Sequence, residues 1–174
     1  FQISRDAATV WKTDRSLYCI AQSDRLLAVS GAASEITLLD PDSGMVVAQW
    51  QTGQTEVNSV VLDPDSGRLW CSGDNGSVHA YDIQTQAPIF REKVFENGLA
   101  FDLLHFPNLQ QLICFSSDGT VAAINHSTGK VLRRWPALQQ GTRSLAFAGA
   151  RQFAVGHFEG YLRIYDVVTG ELKQ

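Results

Sequence analysis

The chain has 174 residues, 44% of them hydrophobic and 18% charged, with a formal net charge of −4 and three cysteines. That composition supports a packed core and excludes a disordered chain, and the acidic balance, with no basic run longer than Arg133-Arg134, argues against a nucleic-acid surface. No apolar stretch approaches the ~18 residues of a membrane-spanning helix, so no membrane insertion is expected, and three cysteines without metal spacing suggest neither a disulfide framework nor a zinc site.

Taken from its start, residues 1–12 match residues 163–174 in length and pattern, so the chain is expected to open inside the last strands of one repeat. Four repeats follow, at 13–53, 54–95, 96–138 and 139–174. Their strongest marker is a strand, a tight turn ending in Gly, a second strand and a polar residue. It is seen in Leu69–Asp82, Leu112–Asn125 and Phe153–Asp166. Gly76, Gly119 and Gly160 are 43 and 41 residues apart, and the strand-end residues Asp40, Asp82, Asn125 and Asp166 are separated by 42, 43 and 41. Gly44, Gly129 and Gly170 keep the same beat in the following turn, with Gln86 in place of glycine in the second repeat. Trp50 and Trp135 each stand six residues beyond their glycine.

The second repeat shows the units most clearly. Val57 to Leu62 alternates as a strand, residues 63–67 turn it, Arg68 to Ser72 runs back, Asn75-Gly76 makes a hairpin, Ser77 to Ile83 follows and Ala87 to Phe90 closes. A repeat of about 42 residues holding four strands predicts an all-β fold of propeller type. Four consecutive four-stranded antiparallel blades and part of a preceding one are expected. Since seven such blades require roughly 300 residues, the chain reads as a portion of a seven-bladed ring. If it is the whole polypeptide, an exposed sheet edge should be covered by a partner chain. Val29, Cys71, Cys114 and Val155 fall at one place in the second strands and are expected in the core.

These motifs resemble the WD-repeat family, best in residues 57–82, with Leu39-Asp40, Tyr81-Asp82, Ile124-Asn125 and Tyr165-Asp166 where family members often carry Trp-Asp. The family's Gly-His before the first strand is missing, and Asp118 alone has the expected residue at the turn. Leu38 to Gly44 with Trp50, and Ala123 to Lys130 with Trp135, also resemble quinoprotein-type propellers, in which the closing Trp docks between blades.

The WD resemblance implies a non-enzymatic scaffold holding several other proteins in an intracellular assembly, cytoplasmic or nuclear. The second resemblance implies a quinone enzyme or a bacterial envelope scaffold; an RNA-binding propeller is a further alternative. The WD family uses the inter-blade loops and the second-to-third-strand hairpins of one face. By position these carry Arg15, Glu56, Asn97 and Arg143 on the loops, and Asn75, Asp118 and Glu159 on the hairpins. Neither nucleophile elbow nor phosphate loop is present, so no catalytic residue, cofactor or metal is expected. His79, His105, His126 and His157 occupy different blade positions and are not expected to converge on one metal. The two Asp-Pro-Asp-Ser-Gly segments, 40–44 and 63–67, read as turns rather than calcium loops. Arg133-Arg134 reads as a solvated edge.

Overall fold

A computed structural model describes residues 11–135, 142–157 and 160–173, with the side chains of residues 142 and 143 left aside. Among these residues the secondary structure is all β apart from one 3₁₀ turn, Pro107–Leu109. The first blade holds β1 (Leu17–Gln22), β2 (Leu27–Gly31), β3 (Ala33–Leu39) and β4 (Val46–Gln51). The second holds β5 (Val57–Asp63), β6 (Arg68–Gly73), β7 (Ser77–Asp82) and β8 (Pro88–Lys93). The third holds β9 (Ala100–Phe106), β10 (Gln111–Ser116), β11 (Val121–Asn125) and β12 (Val131–Trp135). Each is an antiparallel meander in chain order. The fourth blade has three strands, β13 (Thr142–Gly149), β14 (Gln152–His157) and β15 (Leu162–Asp166). Where a fourth strand was expected, the chain contributes only an isolated bridge from Leu172 to Tyr165. The expected strand end in residues 1–10 lies outside the described residues.

Register carries the repeat down to single residues. Ile20, Val60, Leu103 and Leu145 on the first strands pair with Val29, Cys71, Cys114 and Val155 on the second, the four positions anticipated as core, and all four partners are buried. The register slips beside Tyr18, Asn58, Phe101 and Arg143, one place before a small or polar residue in every first strand. Such a bulge bends the strand and sharpens its twist. At Asn58 the bulged side chain turns towards the next blade, where Nδ2 donates to the Ala100 carbonyl at 3.0 Å.

Every turn from third to fourth strand is closed by one device. Asp40, Asp82, Asn125 and Asp166 accept backbone N–H bonds from the Ser or Thr three residues on, at 2.7 to 3.0 Å. Gly44, Gly129 and Gly170 then take φ near +70 to +76°, a left-handed conformation that Gln86 adopts at +59°. The Asp or Asn at the third-strand end is therefore explained by local turn chemistry. The residues before it, Leu39, Tyr81, Ile124 and Tyr165, are all buried.

Burial is organised between blades, with one apolar cluster at each of the three junctions. Ala28, Ile36 and Leu38 meet Val57, Leu69 and Tyr81; Trp70, Val78 and Phe90 meet Leu103, Leu112 and Ile124; Ile113, Phe115 and Val121 meet Leu145, Phe153 and Val155. A single sheet could not bury both of its faces, so stacking is what makes the core.

Candidate functional site

The meander puts two classes of loop at the same end of the stack. Ala32 N–H donates to the Ser16 carbonyl at 2.9 Å, Asp74 N–H to that of Glu56 at 3.3 Å, and Ser117 N–H to that of Leu99 at 3.0 Å. In these three blades the loop entering the first strand is bonded to the hairpin between second and third strands. Arg15, Asn75, Asn97 and Asp118 are exposed there, and Glu56 is half-buried. Arg15 lies 3.6 Å from Asp14. Asn75 and Asp118 also hold their hairpins, accepting from Ser77 N–H at 3.0 Å and Thr120 N–H at 2.9 Å. Arg143 falls on the bulge of β13, its side chain outside the described residues, and Glu159 lies outside them altogether.

The larger concavity is at the opposite end, where first strands finish and turn into second strands. A cavity of about 610 Å³ is lined by Val61, Leu62, Asp63, Asp65 and Ser66 of the second blade, by Leu103, Leu104, His105 and Pro107 of the third, and by Phe147 of the fourth. Through Asp65 it continues into a recess of about 280 Å³ walled by Ser23, Asp24, Arg25 and Pro64. On the other side, through His105, Pro107 and Phe147, it meets one of about 150 Å³ reaching Gly149 and Ala150. The three form one groove across four blades. Its floor in the second to fourth blades is a single rung of the repeat, because Leu62, His105 and Phe147 all sit two places after the aligned core residue of their first strands. Phe147 stays 58% exposed with its ring edge-on to Phe106 at 4.9 Å.

Beside this groove two of the four histidines meet. His105 and His126 converge, with Nε2 of the first 3.0 Å from Nδ1 of the second. Both stand at the same end of the third blade, one finishing β9 and the other in the turn after β11. Trp70 of the second blade lies against both rings and donates Nε1–H to the His126 carbonyl at 2.9 Å, while Arg68 donates to Ser127 Oγ at 2.8 Å. Asp63 Oδ2 approaches His105 Nδ1 at 3.8 Å, and Asp63 Oδ1 accepts the Ser66 N–H at 3.2 Å. Burial lowers the His105 pKa against the opposing pull of Asp63, and burial followed by the Arg68 charge lowers that of His126. The pair is therefore neutral at neutral pH, sharing one N–H between facing nitrogens, and it joins the second blade to the third.

Other side chains singled out in the sequence have structural work. Arg133 and Arg134 are exposed on the edge strand β12, as expected, and the Arg133 guanidinium also donates to the Thr169 carbonyl at 2.5 Å and the Val168 carbonyl at 3.1 Å of the next blade. Trp135 packs edge-on to Phe153 and donates Nε1–H to the Gly170 carbonyl at 3.0 Å. Both Asp-Pro-Asp-Ser-Gly segments are turns closed by their first Asp. Burial pushes the Cys19 thiol up to about 12 and raises those of Cys71 and Cys114 as well, which keeps all three protonated and poor nucleophiles. Among the described residues no group of three or more His, Cys, Asp or Glu is placed to hold a metal ion, and no helix is long and apolar enough to cross a membrane.

No protein-family model matches the chain, and no curated protein matches it. Solved structures do. The computationally designed Ika8 protein superposes with a TM-score of 0.81 at 15% identity over 93% of this chain and 49% of its own, so the chain spans about half of its length. The computationally designed Ika4 protein superposes with a TM-score of 0.79 at 16% identity over 91% of this chain and 96% of its own. At such identities the likeness concerns the fold alone.

Proposed function

We propose that this chain is a non-enzymatic, WD-repeat-like propeller scaffold, an arc of a larger ring of the seven-bladed kind, which holds other proteins in an intracellular assembly. The observation that carries the reading is the pair of unlike surfaces on one stiff frame. Loops of mixed charge, including Arg15, Glu56 and Asp118, crowd one end, and a partly apolar groove crosses the other. Junctions packed with buried side chains keep the two at fixed separation, which is what a scaffold needs in order to present partners in a set geometry. Affinity purification of the tagged protein from its own cells, followed by mass spectrometry, should return stoichiometric partners. Charge reversal at Arg15 and Arg143 should release those held at the loop end. A protein that purifies alone contradicts the reading.

The quinoprotein-like alternative is favoured by one specific feature, the Trp135 indole docked on the Gly170 carbonyl of the next blade beneath an Asp-x-x-Thr-Gly turn. Its enzyme form predicts a stoichiometric quinone absorbance in the visible spectrum of the purified protein. A colourless protein leaves only the cofactor-free envelope scaffold of that kind.

A further inference from the structure

We propose that the groove at the first-to-second-strand end binds an extended peptide segment in which a lysine or arginine stands next to a large apolar side chain. The inference rests on the scaffold reading and names the partner class for one of its two surfaces. The main cavity, about 610 Å³, has the size of a ligand site, for which roughly 300–1,000 Å³ is usual. Its two ends differ in chemistry. Around the third and fourth blades the wall is apolar, with Leu104, Pro107 and the exposed Phe147 ring. Around the first and second it is acidic, with Asp24, Asp63 and Asp65 against the single guanidinium of Arg25.

Of the cations near this wall, Arg68 pairs in register with Asp63 and donates to the neutral Ser127 hydroxyl, Arg151 lies 3.6 Å from Asp166 in the fourth blade, and His105, neutral at neutral pH, stands 3.8 Å from Asp63 Oδ2, beyond hydrogen-bond reach. Three carboxylates near this edge leave it with negative potential that a cationic side chain would complement, while Phe147 offers a flat apolar platform in the fourth blade, across the same cavity. A wholly cationic or wholly apolar ligand would satisfy one half of the groove and leave the other unmatched, and an anionic one would be repelled by the carboxylates.

The test is selection of short random peptides displayed on phage against the purified protein, followed by fluorescence polarisation of the enriched peptides with wild type, Asp65→Arg and Phe147→Ser. Both side chains are exposed, and thermal melts of the two variants establish that they remain folded. Enriched peptides should pair arginine or lysine with leucine, phenylalanine or tryptophan, weaken with added salt, and lose about tenfold or more in affinity to each variant. Enriched peptides that are acidic or uncharged, or whose binding ignores both substitutions, overturn the groove assignment. If they respond instead to reversal at Arg15 and Arg143, the scaffold survives and the groove does not. No enrichment at all overturns the groove assignment, while the scaffold reading falls only if the protein also purifies alone.

Discussion

The junction between first and second blades and that between third and fourth are built on one plan, yet they close differently. In the latter, Trp135 is 4% exposed, its indole N–H reaches the Gly170 carbonyl, and Arg133 adds two bonds to the same turn. In the former, Trp50 is half-buried 5.7 Å from Tyr81, its buried Nε1 has no described partner, and Gln86 stands where Gly170 does. The Tyr81 hydroxyl compensates by donating to the Thr52 carbonyl at 3.0 Å and contacting His79 Nδ1 at 3.1 Å. One docking motif can therefore be honoured by the indole or replaced by a buried Tyr–His pair, provided the facing sheets still pack.

The largest expected effect is on the better-made junction. Trp135→Ala should cost about 3–5 kcal/mol, whereas Trp50→Ala should cost clearly less, because it starts half-exposed and surrenders no indole bond. Chemical denaturation of the two variants checks this, and equal losses would erase the distinction between the junctions. Gly129→Ala, at the middle junction, forces a left-handed non-glycine at φ +74° and sets a methyl 2.6 Å from Phe90 Cδ2. A loss of roughly 2 kcal/mol is expected, and a neutral result would mean that β8 does not lie over this turn. Smaller and of opposite sign, Gln86→Gly should gain up to about 1 kcal/mol by removing the cost of Gln at φ +59°. A lower melting temperature would show that the Gln86 amide, which donates to the Ile83 and Gln84 carbonyls, matters more than the backbone.

Acid should sharpen the same contrast. Burial, and then the Arg91 charge, push His79 down to about 4. The unfolded chain therefore takes up that proton first, and the stabilisation is whole above about pH 6.5 and is lost progressively as pH falls towards 4. His79→Gln should flatten this slope in melts taken between pH 7.5 and 5, leaving the part due to His105 and His126. Asp40, Asp82 and Asp166 are held below the usual carboxylate range by bonds from Ser43, Thr85 and Thr169, so their contribution disappears only at lower pH, as each is protonated. An unchanged slope in the variant would contradict the buried neutral histidine.

The repeat was legible because its markers answer to local rules. Gly76 and Gly119 need a positive φ, Asp82 and Asp166 cap a turn three residues on, and Cys71 and Cys114 repeat one rung of the sheet. What crosses from blade to blade was not legible. Arg133 serves a turn 35 to 36 residues away, and Trp70 meets His126 across 56 residues, separations unrelated to the spacing of equivalent sites. The meeting of His105 and His126 did leave a signal, since the end of a first strand and the third-to-fourth turn of the same sheet must share one end of the blade. The groove left none in any single repeat, being assembled from the same rung of successive first strands. The short last sheet was missed because repeat length alone places a strand there, whereas Glu171 and Lys173 disfavour one and the described residues 171–173 make only one bridge.

Hydrogen–deuterium exchange of the intact protein tests the stacked repeat most directly. The slowest amides should fall in four groups, in the middle strands β2 and β3, β6 and β7, β10 and β11, and β14, recurring every 41 to 43 residues with fast-exchanging turns between them. Protection that runs through the turns at Asp40, Asp82 and Asn125, or that ignores this interval, would contradict the account.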